Sequence, residues 1–235
     1  FSALKLANAG HDVTVITKQR LKDSSTNWAQ GGIAGILDKT DIGAKESHIQ
    51  DTLASGDGLC NESMVREVIE GAAECIFELV NIGVQFEKNQ QGDFKLAKEG
   101  GHTERRILHA KDATGREIER ALSEAAKNHN NITLMRNTLA IDLVQRDYRN
   151  PEEGVCGVWC LDQKSTEVIT VKADSVIIAT GGVGQLWSKT TNPGVATGDG
   201  VAMAYRCGAA VKDMAFIQFH PTALTVKNDR PYLIT

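Results

Sequence analysis

The sequence lacks any apolar run that approaches the roughly 20 residues of a membrane-spanning helix, and no secretory signal peptide opens it. It also lacks internal repeats and low-complexity linkers. The formal net charge is −4, which gives no support for a nucleic-acid-binding surface. With 41% hydrophobic and 24% charged residues, the chain has the composition of an ordinary globular protein. We therefore predict a globular protein that neither spans a membrane nor binds nucleic acid.

Cysteines are few, and none of them form a C-x-x-C pair. The five cysteines are an odd number without metal-ligand spacing, which argues against a disulfide framework and against a zinc or iron–sulfur site. We predict no metal site and a reducing, cytoplasmic location. Cys156 and Cys160 are four positions apart in a strand-like run, so core packing is the expected role of that pair.

The two ends of the sequence predict a piece of a longer protein. The chain starts without Met inside an amphipathic pattern, "FSALKLANAG", and Gly10 is the expected helix end. The β-branched run in "HDVTVITK" follows, so helix and strand form the second half of a βαβ unit. We expect its glycine-rich first half upstream of Phe1. The last letters, "RPYLIT", end inside a strand-like run.

The middle of the chain alternates helical and strand-like patterns. Helical spacing in "NESMVREVIEGAAECIFELVNIG" predicts a long helix that ends at Gly83. "TGRE" has the form of a capping box, with Thr114 as N-cap and Glu117 three residues later, on a helix that runs to about Lys127. "NITLMRNTLAIDLVQRD" predicts either a strand pair or one bent strand, and "GVCGVWCLD" with "EVITVKA" predicts a hairpin.

A continuous apolar run in "DSVIIATGG" is typical of a strand buried on both faces of a parallel sheet. The fold class is therefore α/β, a Rossmann-like domain with an inserted β-hairpin region. The character of the sequence changes after Asp213. We assign residues 1–213 to the first domain and residues 214–235 to the start of a second domain, which the family resemblance given below implies to be an α+β capping domain.

Two glycine-rich stretches are candidates for binding a ligand. Gly181 and Gly182 end the apolar run, where a backbone can approach a planar or phosphorylated ligand, although a tight turn explains the pattern equally well. Further on, Gly198 and Gly200 flank Asp199 directly before a helix. A helix N-terminus suits a phosphate or ring carbonyl, while the alternative is that Asp199 only caps the helix.

Two polar clusters have both a structural and a functional interpretation. Gln218 and His220 alternate along "FIQFHPTAL", so they share one face of a predicted strand that Pro221 breaks. A lone histidine on an apolar strand is usually a satisfied core residue, but the pair favours a polar pocket. "KEGGHTERR" concentrates charges beside two glycines, and a solvated loop is the ordinary explanation for such a cluster.

Five stretches, taken in order, resemble the flavoproteins of the fumarate reductase and succinate dehydrogenase family. They are "SSTNWAQGGIAG", "DATGREIERAL", "IIATGG", "TNPGVATGDGVAMA" and "QFHPTAL". Each stretch is weakly specific, but together they cover nearly the whole chain. Within the family, "EGGHTERRILHAKDATGRE" is similar to the members that oxidise L-aspartate to iminoaspartate for NAD biosynthesis.

The resemblance implies FAD as the cofactor, with residues 24–35 wrapping the flavin and its pyrophosphate. Membrane members carry a histidine that bonds covalently to FAD at the position of Ser25, so FAD is expected to be noncovalent here. Lys18 stands where many dinucleotide folds place an acidic residue near the ribose. The implied cofactor residues are Lys18, Ser25, Thr26, Ala29, Gln30, Gly31, Gly32, Leu139, Ala140, Thr180, Gly181, Gly182 and Asp199.

For the substrate, the resemblance implies that His220 and Thr235 bind carboxylates, with Gln218 beside them. Glu99 is implied to meet the ammonium group that distinguishes aspartate from succinate. Oxygen, giving peroxide, or fumarate is the expected electron acceptor, and quinolinate synthase is the expected partner. The family's catalytic arginine is expected beyond Thr235, so residues 1–235 alone are predicted to be inactive.

Three alternatives remain open from the sequence. A soluble fumarate reductase is the nearest, and a noncatalytic FAD-binding fragment belongs to a different class. A nicotinamide-dependent dehydrogenase is the least favoured, because the "STNWAQGG" stretch has no role in one.

Overall fold

The structure is a computed structural model that describes residues 1–111, 113–224 and 231–234. Within these ranges the chain forms six α-helices: α1 Ser2–Asn8, α2 Ser25–Trp28, α3 Ile42–Ser55, α4 Glu62–Ile82, α5 Thr114–Lys127 and α6 Asp199–Arg206. The same ranges contain ten strands: β1 Val13–Thr17, β2 Ile33–Ala34, β3 Leu96–Ala97, β4 Ile107–Leu108, β5 Ile132–Arg136, β6 Thr138–Gln145, β7 Val155–Asp162, β8 Val168–Lys172, β9 Ala223–Leu224 and β10 Tyr232–Leu233. The chain divides into two compact units, Phe1–Ser25 with Ala126–Thr235, and Thr26–Ala125.

The first unit contains a parallel strand pair. β1 and β5 run parallel in a register that places Val13 opposite Ile132, and α1 packs against both strands. Gly10 adopts φ +92° just after α1, a backbone conformation that favours glycine, and lets the chain turn into β1. The predicted helix, glycine and strand are confirmed.

A separate antiparallel sheet of the first unit has the order β6-β7-β8. The predicted hairpin of β7 and β8 is confirmed. β5 and β6 are two strands in two different sheets, separated by Asn137 at φ +55°, which settles the alternative between a strand pair and one bent strand. Cys160 is completely buried in β7, which confirms its packing role, while Cys156 is half-buried.

The long helix α4 organises the second unit. The Asn61 side chain accepts a hydrogen bond from Met64 N–H at its start, and Gly83 ends it at φ +111°, as predicted. One face of α4 is buried, and α3 packs against the helix. β2 also approaches closely, because a Cβ on Gly35 would lie only 2.3 Å from Cδ1 of Ile76.

The range of α5 agrees with the prediction, but the predicted capping box is wrong. Thr114 is the first helical residue, and its hydroxyl accepts a hydrogen bond from Ala110 N–H at 3.0 Å. The carboxylate of Glu117 accepts from Gln85 N–H at 2.9 Å and also pairs with Arg120. The side chains of Thr114 and Glu117 therefore bond to other groups and not to each other's backbone N–H. The sequence pattern does not reveal these partners.

The predicted buried strand at residues 176–179 is wrong for this structure. Ile177 and Ile178 are 61% and 41% exposed, and the segment has no strand assignment. A strand buried on both faces needs neighbours that pair with it and cover it. In the described ranges, no strand pairs with this segment.

The predicted strand that carries Gln218 and His220 is also wrong. Residues 216–220 are not in a strand, and Phe216 and Phe219 are 62% and 65% exposed, so the alternation marks no buried face. β9 begins only after Pro221 and pairs antiparallel with β10. The domain boundary between residues 213 and 214 stays a prediction.

Of the helices in the described ranges, none is both long and apolar enough to cross a membrane.

Candidate functional site

A glycine turn leads from α2 into β2 in the second unit. β2 pairs antiparallel with β4, with Ile33 opposite Leu108. A Cβ on Gly32 would lie 2.3 Å from the Leu108 carbonyl oxygen, so only glycine fits beside β4. The sequence suggested that a glycine stands here to let a ligand approach. The neighbouring strand β4 already requires glycine at position 32.

The same turn packs against the start of α5. A Cβ on Gly115 would lie 1.9 Å from the Thr26 carbonyl oxygen, and Gly115 N–H donates to the Ala29 carbonyl at 3.2 Å. These contacts hold the backbone of residues 26–32, which contains the predicted flavin residues Thr26, Ala29, Gln30, Gly31 and Gly32. Ser25 belongs to the first unit and starts α2.

Glu99 lies against this glycine turn. Its Oε1 accepts a hydrogen bond from Gly32 N–H at 3.1 Å and lies 3.2 Å from Nε2 of His109. Its Oε2 faces Gly31, where a Cβ would lie 3.4 Å away, and receives no hydrogen bond from the described residues. The structure therefore brings Glu99 together with two of the predicted flavin residues, and leaves one carboxylate oxygen available.

A buried arginine anchors the segment that carries Glu99. Arg106 is 1% exposed, and its Nη1 donates to Asp51 on α3 at 2.6 Å. Asp51 also accepts from the backbone N–H of Thr103 at 2.8 Å, and Ser47 accepts from Arg106 Nη2 at 3.0 Å. The Thr103 N–H and the Arg106 guanidinium lower the pKa of Asp51 to about 2, although partial burial opposes them. Asp51 therefore stays ionised and holds residues 103–106 on α3.

In the first unit, Lys18 and Asp199 form an ion pair. Nζ of Lys18 lies 2.6 Å from Oδ2 of Asp199 and 2.5 Å from the Thr197 hydroxyl, which itself donates to Asp199 at 2.7 Å. Burial acts to raise the pKa of Asp199, but the hydrogen bonds from Lys18 and Thr197 and the Lys18 charge together lower it. The end of β1 is thereby joined to the start of α6.

The Thr180–Gly182 segment meets the same end of α6. Gly198 N–H donates to the Gly182 carbonyl at 3.1 Å, and a Cβ on Gly200 would lie 2.0 Å from the Thr180 hydroxyl. Gly181 has φ +74° and open space where a Cβ would point. Among the described residues no side chain caps α6, so within that part of the chain the N–H groups of its first turn remain available as donors.

The four remaining predicted residues that the structure describes have other surroundings within the first unit. Leu139 and Ala140 lie half-buried on β6, opposite Leu161 and Cys160 of β7. Gln218 and His220 are exposed, and the His220 ring contacts the backbone of Thr222. Thr235 lies outside the described residues.

Sequence reasoning missed three residues of these clusters. His109, Asp51 and Thr197 contact predicted positions through strand pairing and helix packing. His109 is only ten positions from Glu99 in the sequence, but the pairing of β2 with β4 places it beside Gly32, which Glu99 also contacts.

A family model described as an FAD binding domain matches residues 1–235. An L-aspartate oxidase of Vibrio cholerae is 41% identical over 239 residues, which cover 99% of this chain and 44% of that protein. The chloroplastic L-aspartate oxidase of Arabidopsis thaliana is 46% identical over 224 residues, covering 94% and 34%. A solved mutant of E. coli quinol fumarate reductase FrdA has a TM-score of 0.85 at 28% identity, covering 95% of this chain and 37% of that one.

The chain is therefore a flavoprotein domain, and it belongs to the FAD binding domain family. FAD is its cofactor. The chain spans less than half the length of the curated relatives described above.

Proposed function

We propose that this chain is part of an FAD-dependent enzyme that oxidises L-aspartate to iminoaspartate. The observation that carries the proposal is the carboxylate of Glu99 at the glycine turn, fixed through Oε1 and available through Oε2. An available, oriented carboxylate suits an ammonium group, and a charge-assisted contact of this kind discriminates strongly against a ligand without the amine. The relatives named L-aspartate oxidase support the same substrate.

The residues present fit a noncovalently held dinucleotide cofactor. The open backbone at Gly181 and the uncapped start of α6 offer N–H donors to a pyrophosphate or a ring carbonyl. Lys18 adds a positive charge beside that end of α6, and Ser25 cannot form the histidyl bond of the membrane enzymes. Thr26, Ala29, Gln30, Gly31 and Gly32 are proposed to line the flavin, with Leu139 and Ala140 near the adenine.

In the proposed reaction, the residues of this chain bind and orient a dicarboxylate. Glu99 takes the substrate ammonium group, while His220, Thr235 and Gln218 are proposed to bind the carboxylates. When bound, FAD supplies the two-electron acceptor for the hydrogen that leaves the α-carbon. Loss of that hydrogen with its electron pair, and of two protons from nitrogen, converts the ammonium group into the neutral imine. Oxygen, giving peroxide, or fumarate is the proposed final acceptor.

The test uses protein expressed from the complete gene that encodes this chain. We expect peroxide formation from L-aspartate in air, measured with a peroxidase-coupled dye. Glu99→Gln is expected to lower kcat/KM for L-aspartate by about 100-fold, because the amine loses its charged partner. Fumarate reduction by the same variant should fall far less. Glu67 is an exposed carboxylate on α4, so Glu67→Gln is the matched control and should change neither activity.

The main competing function is a soluble fumarate reductase, which the structural similarity to quinol fumarate reductase favours. Fumarate reduction without any peroxide from L-aspartate would support it and overturn our proposal. Equal losses of both activities in Glu99→Gln would show that Glu99 does not recognise the amine. A purified protein that retains bound FAD but shows neither activity would instead favour a noncatalytic FAD-binding fragment.

Two further parts of the proposal concern the cell. We propose that quinolinate synthase takes the product, because an imine hydrolyses in water and benefits from direct capture. We also propose a cytoplasmic location for this chain. Fractionation of the source cells would test the location. A coupled assay with both enzymes would test the transfer of the imine to quinolinate synthase, because direct transfer predicts product formation without a lag.

A further inference from the structure

His109 contacts the carboxylate that the proposed function depends on. Its Nε2 lies 3.2 Å from Oε1 of Glu99, the same oxygen that accepts the Gly32 N–H at 3.1 Å. Strand register places His109 beside Gly32, because Gly32 directly precedes β2 and His109 directly follows β4, and the two strands pair. Glu99 contacts the same glycine through its N–H. The imidazole edge also borders the turn, since a Cβ on Gly32 would lie 3.0 Å from Cε1 of His109.

The environment of His109 is unusual for a structural histidine. Its side chain is 22% exposed, and Nε2 itself is buried without an aligned hydrogen bond from the described residues. Buried polar atoms in native proteins are nearly always paired, and an exception calls for a physical reason. The carboxylate of Glu99, with Oε1 at 3.2 Å, is a polar group within reach of Nε2.

We propose that His109 is a positioning residue that sets the orientation of Glu99 and thereby the preference for an amine-bearing substrate. This inference rests on the proposed function. The imidazole and the Gly32 N–H confine Oε1 on one side, so Oε2 is directed toward the substrate ammonium group. Without the ring, the Glu99 side chain gains rotamers that turn its charge away from the amine, since it is 41% exposed.

The first test compares two substitutions in protein expressed from the complete gene. His109→Phe keeps a planar ring but removes both nitrogens, and we expect about a tenfold loss of kcat/KM for L-aspartate, mainly through KM. His109→Gln carries an amide that reaches the position of Nε2, and it should recover to within about threefold of the wild type. Fumarate reduction should change by less than twofold in both variants.

A double-mutant comparison separates positioning from general damage. If His109 acts through Glu99, His109→Phe adds almost no further loss in a Glu99→Gln background. Multiplicative losses in the double variant, or equal losses with aspartate and fumarate, would overturn the proposal. Thermal unfolding of each variant identifies any that fail to fold, and His109→Gln then carries the test.

A binding measurement removes the dependence on turnover. α-Methyl-L-aspartate has no hydrogen on its α-carbon and cannot be oxidised, while 2-methylsuccinate is its counterpart without the amine. Calorimetry should show that His109→Phe weakens only the amine-bearing ligand, by about tenfold. If Glu99→Gln is selective but His109→Phe is not, this inference fails and the proposed function stands. If the wild type prefers neither ligand, the proposed function itself fails.

Discussion

At the scale of single residues, the strongest constraint in the second unit is the burial of one charge, Arg106. The guanidinium is 1% exposed, and Asp51 is its ionised partner at 2.6 Å. Burying a charge is costly unless a partner and hydrogen bonds compensate it. The ion pair therefore matters less as a source of stability than as a fixed point for the segment that leads to Glu99.

Replacing Arg106 should be strongly destabilising. We expect Arg106→Met to lower the free energy of unfolding by about 3–5 kcal/mol, because Asp51 loses its charged partner in a largely buried position. Urea unfolding followed by circular dichroism measures the change. Arg105→Met, at the exposed neighbouring position, is the control and should change stability by less than about 0.5 kcal/mol. Equal effects of the two variants would contradict this account of Arg106.

Residue-scale chemistry was only partly accessible from the sequence. Glu99 was identified through a family resemblance, and its contact with Gly32 N–H could not be derived from spacing, because 67 positions separate the two. His109 was missed for the same reason. Charge clusters show which side chains are near in sequence, whereas pairing of β2 with β4 decides which of them meet.

At the scale of elements, close backbone packing fixes where glycine is needed. Gly115 in α5 has the Thr26 carbonyl oxygen where its Cβ would be, at 1.9 Å. Gly71 in α4 has nothing within 4 Å of that position. A side chain at position 115 would therefore clash with the backbone, whereas one at position 71 would meet open space.

Alanine substitution should distinguish them. We expect Gly115→Ala to destabilise the protein by at least about 2 kcal/mol, because a backbone carbonyl cannot move aside as a flexible side chain can. Gly71→Ala should stabilise it by about 0.5–1 kcal/mol through the reduced entropy of the unfolded chain. Thermal melting gives both signs in one experiment, and a stable Gly115→Ala protein would contradict the packing described for α5.

Helices whose apolar residues recur at helical spacing were predictable from the sequence. The spacing of apolar residues located α4, and Gly83 located its end. The apolar run at residues 176–179 and the alternation at residues 216–220 predicted strands that the structure does not contain. A strand depends on a partner to pair with, which a local pattern does not supply. The two-residue strands β2, β3 and β4 are too short to produce any period.

At the scale of the whole molecule, distant parts of the sequence assemble the surface of the first unit that we propose binds the cofactor. Lys18 and Asp199 are 181 positions apart and form an ion pair with side chains 26% and 32% exposed. The sequence marked both residues separately through the resemblance, but the pairing itself was not predicted. Lys18 thus compensates a carboxylate that would otherwise repel a pyrophosphate.

Removing that compensation should weaken cofactor binding. We expect Lys18→Met to raise the Kd for FAD by about tenfold in protein from the complete gene, because Asp199 then carries an uncompensated negative charge. Quenching of flavin fluorescence on titration measures it. Lys18→Met with Asp199→Asn should recover part of the affinity, and Lys189→Met at an exposed site is the control. An unchanged Kd in Lys18→Met would remove this pair from the cofactor site.

The parallel pairing of β1 with β5 has a consequence for synthesis on the ribosome. Val13 emerges early, yet its partner Ile132 lies beyond the whole second unit. At about 5–20 residues per second, β1 waits roughly 6–24 s for that partner to be translated. During this interval the apolar edge of the nascent chain is a natural client for chaperones, while residues 26–125 have time to fold first.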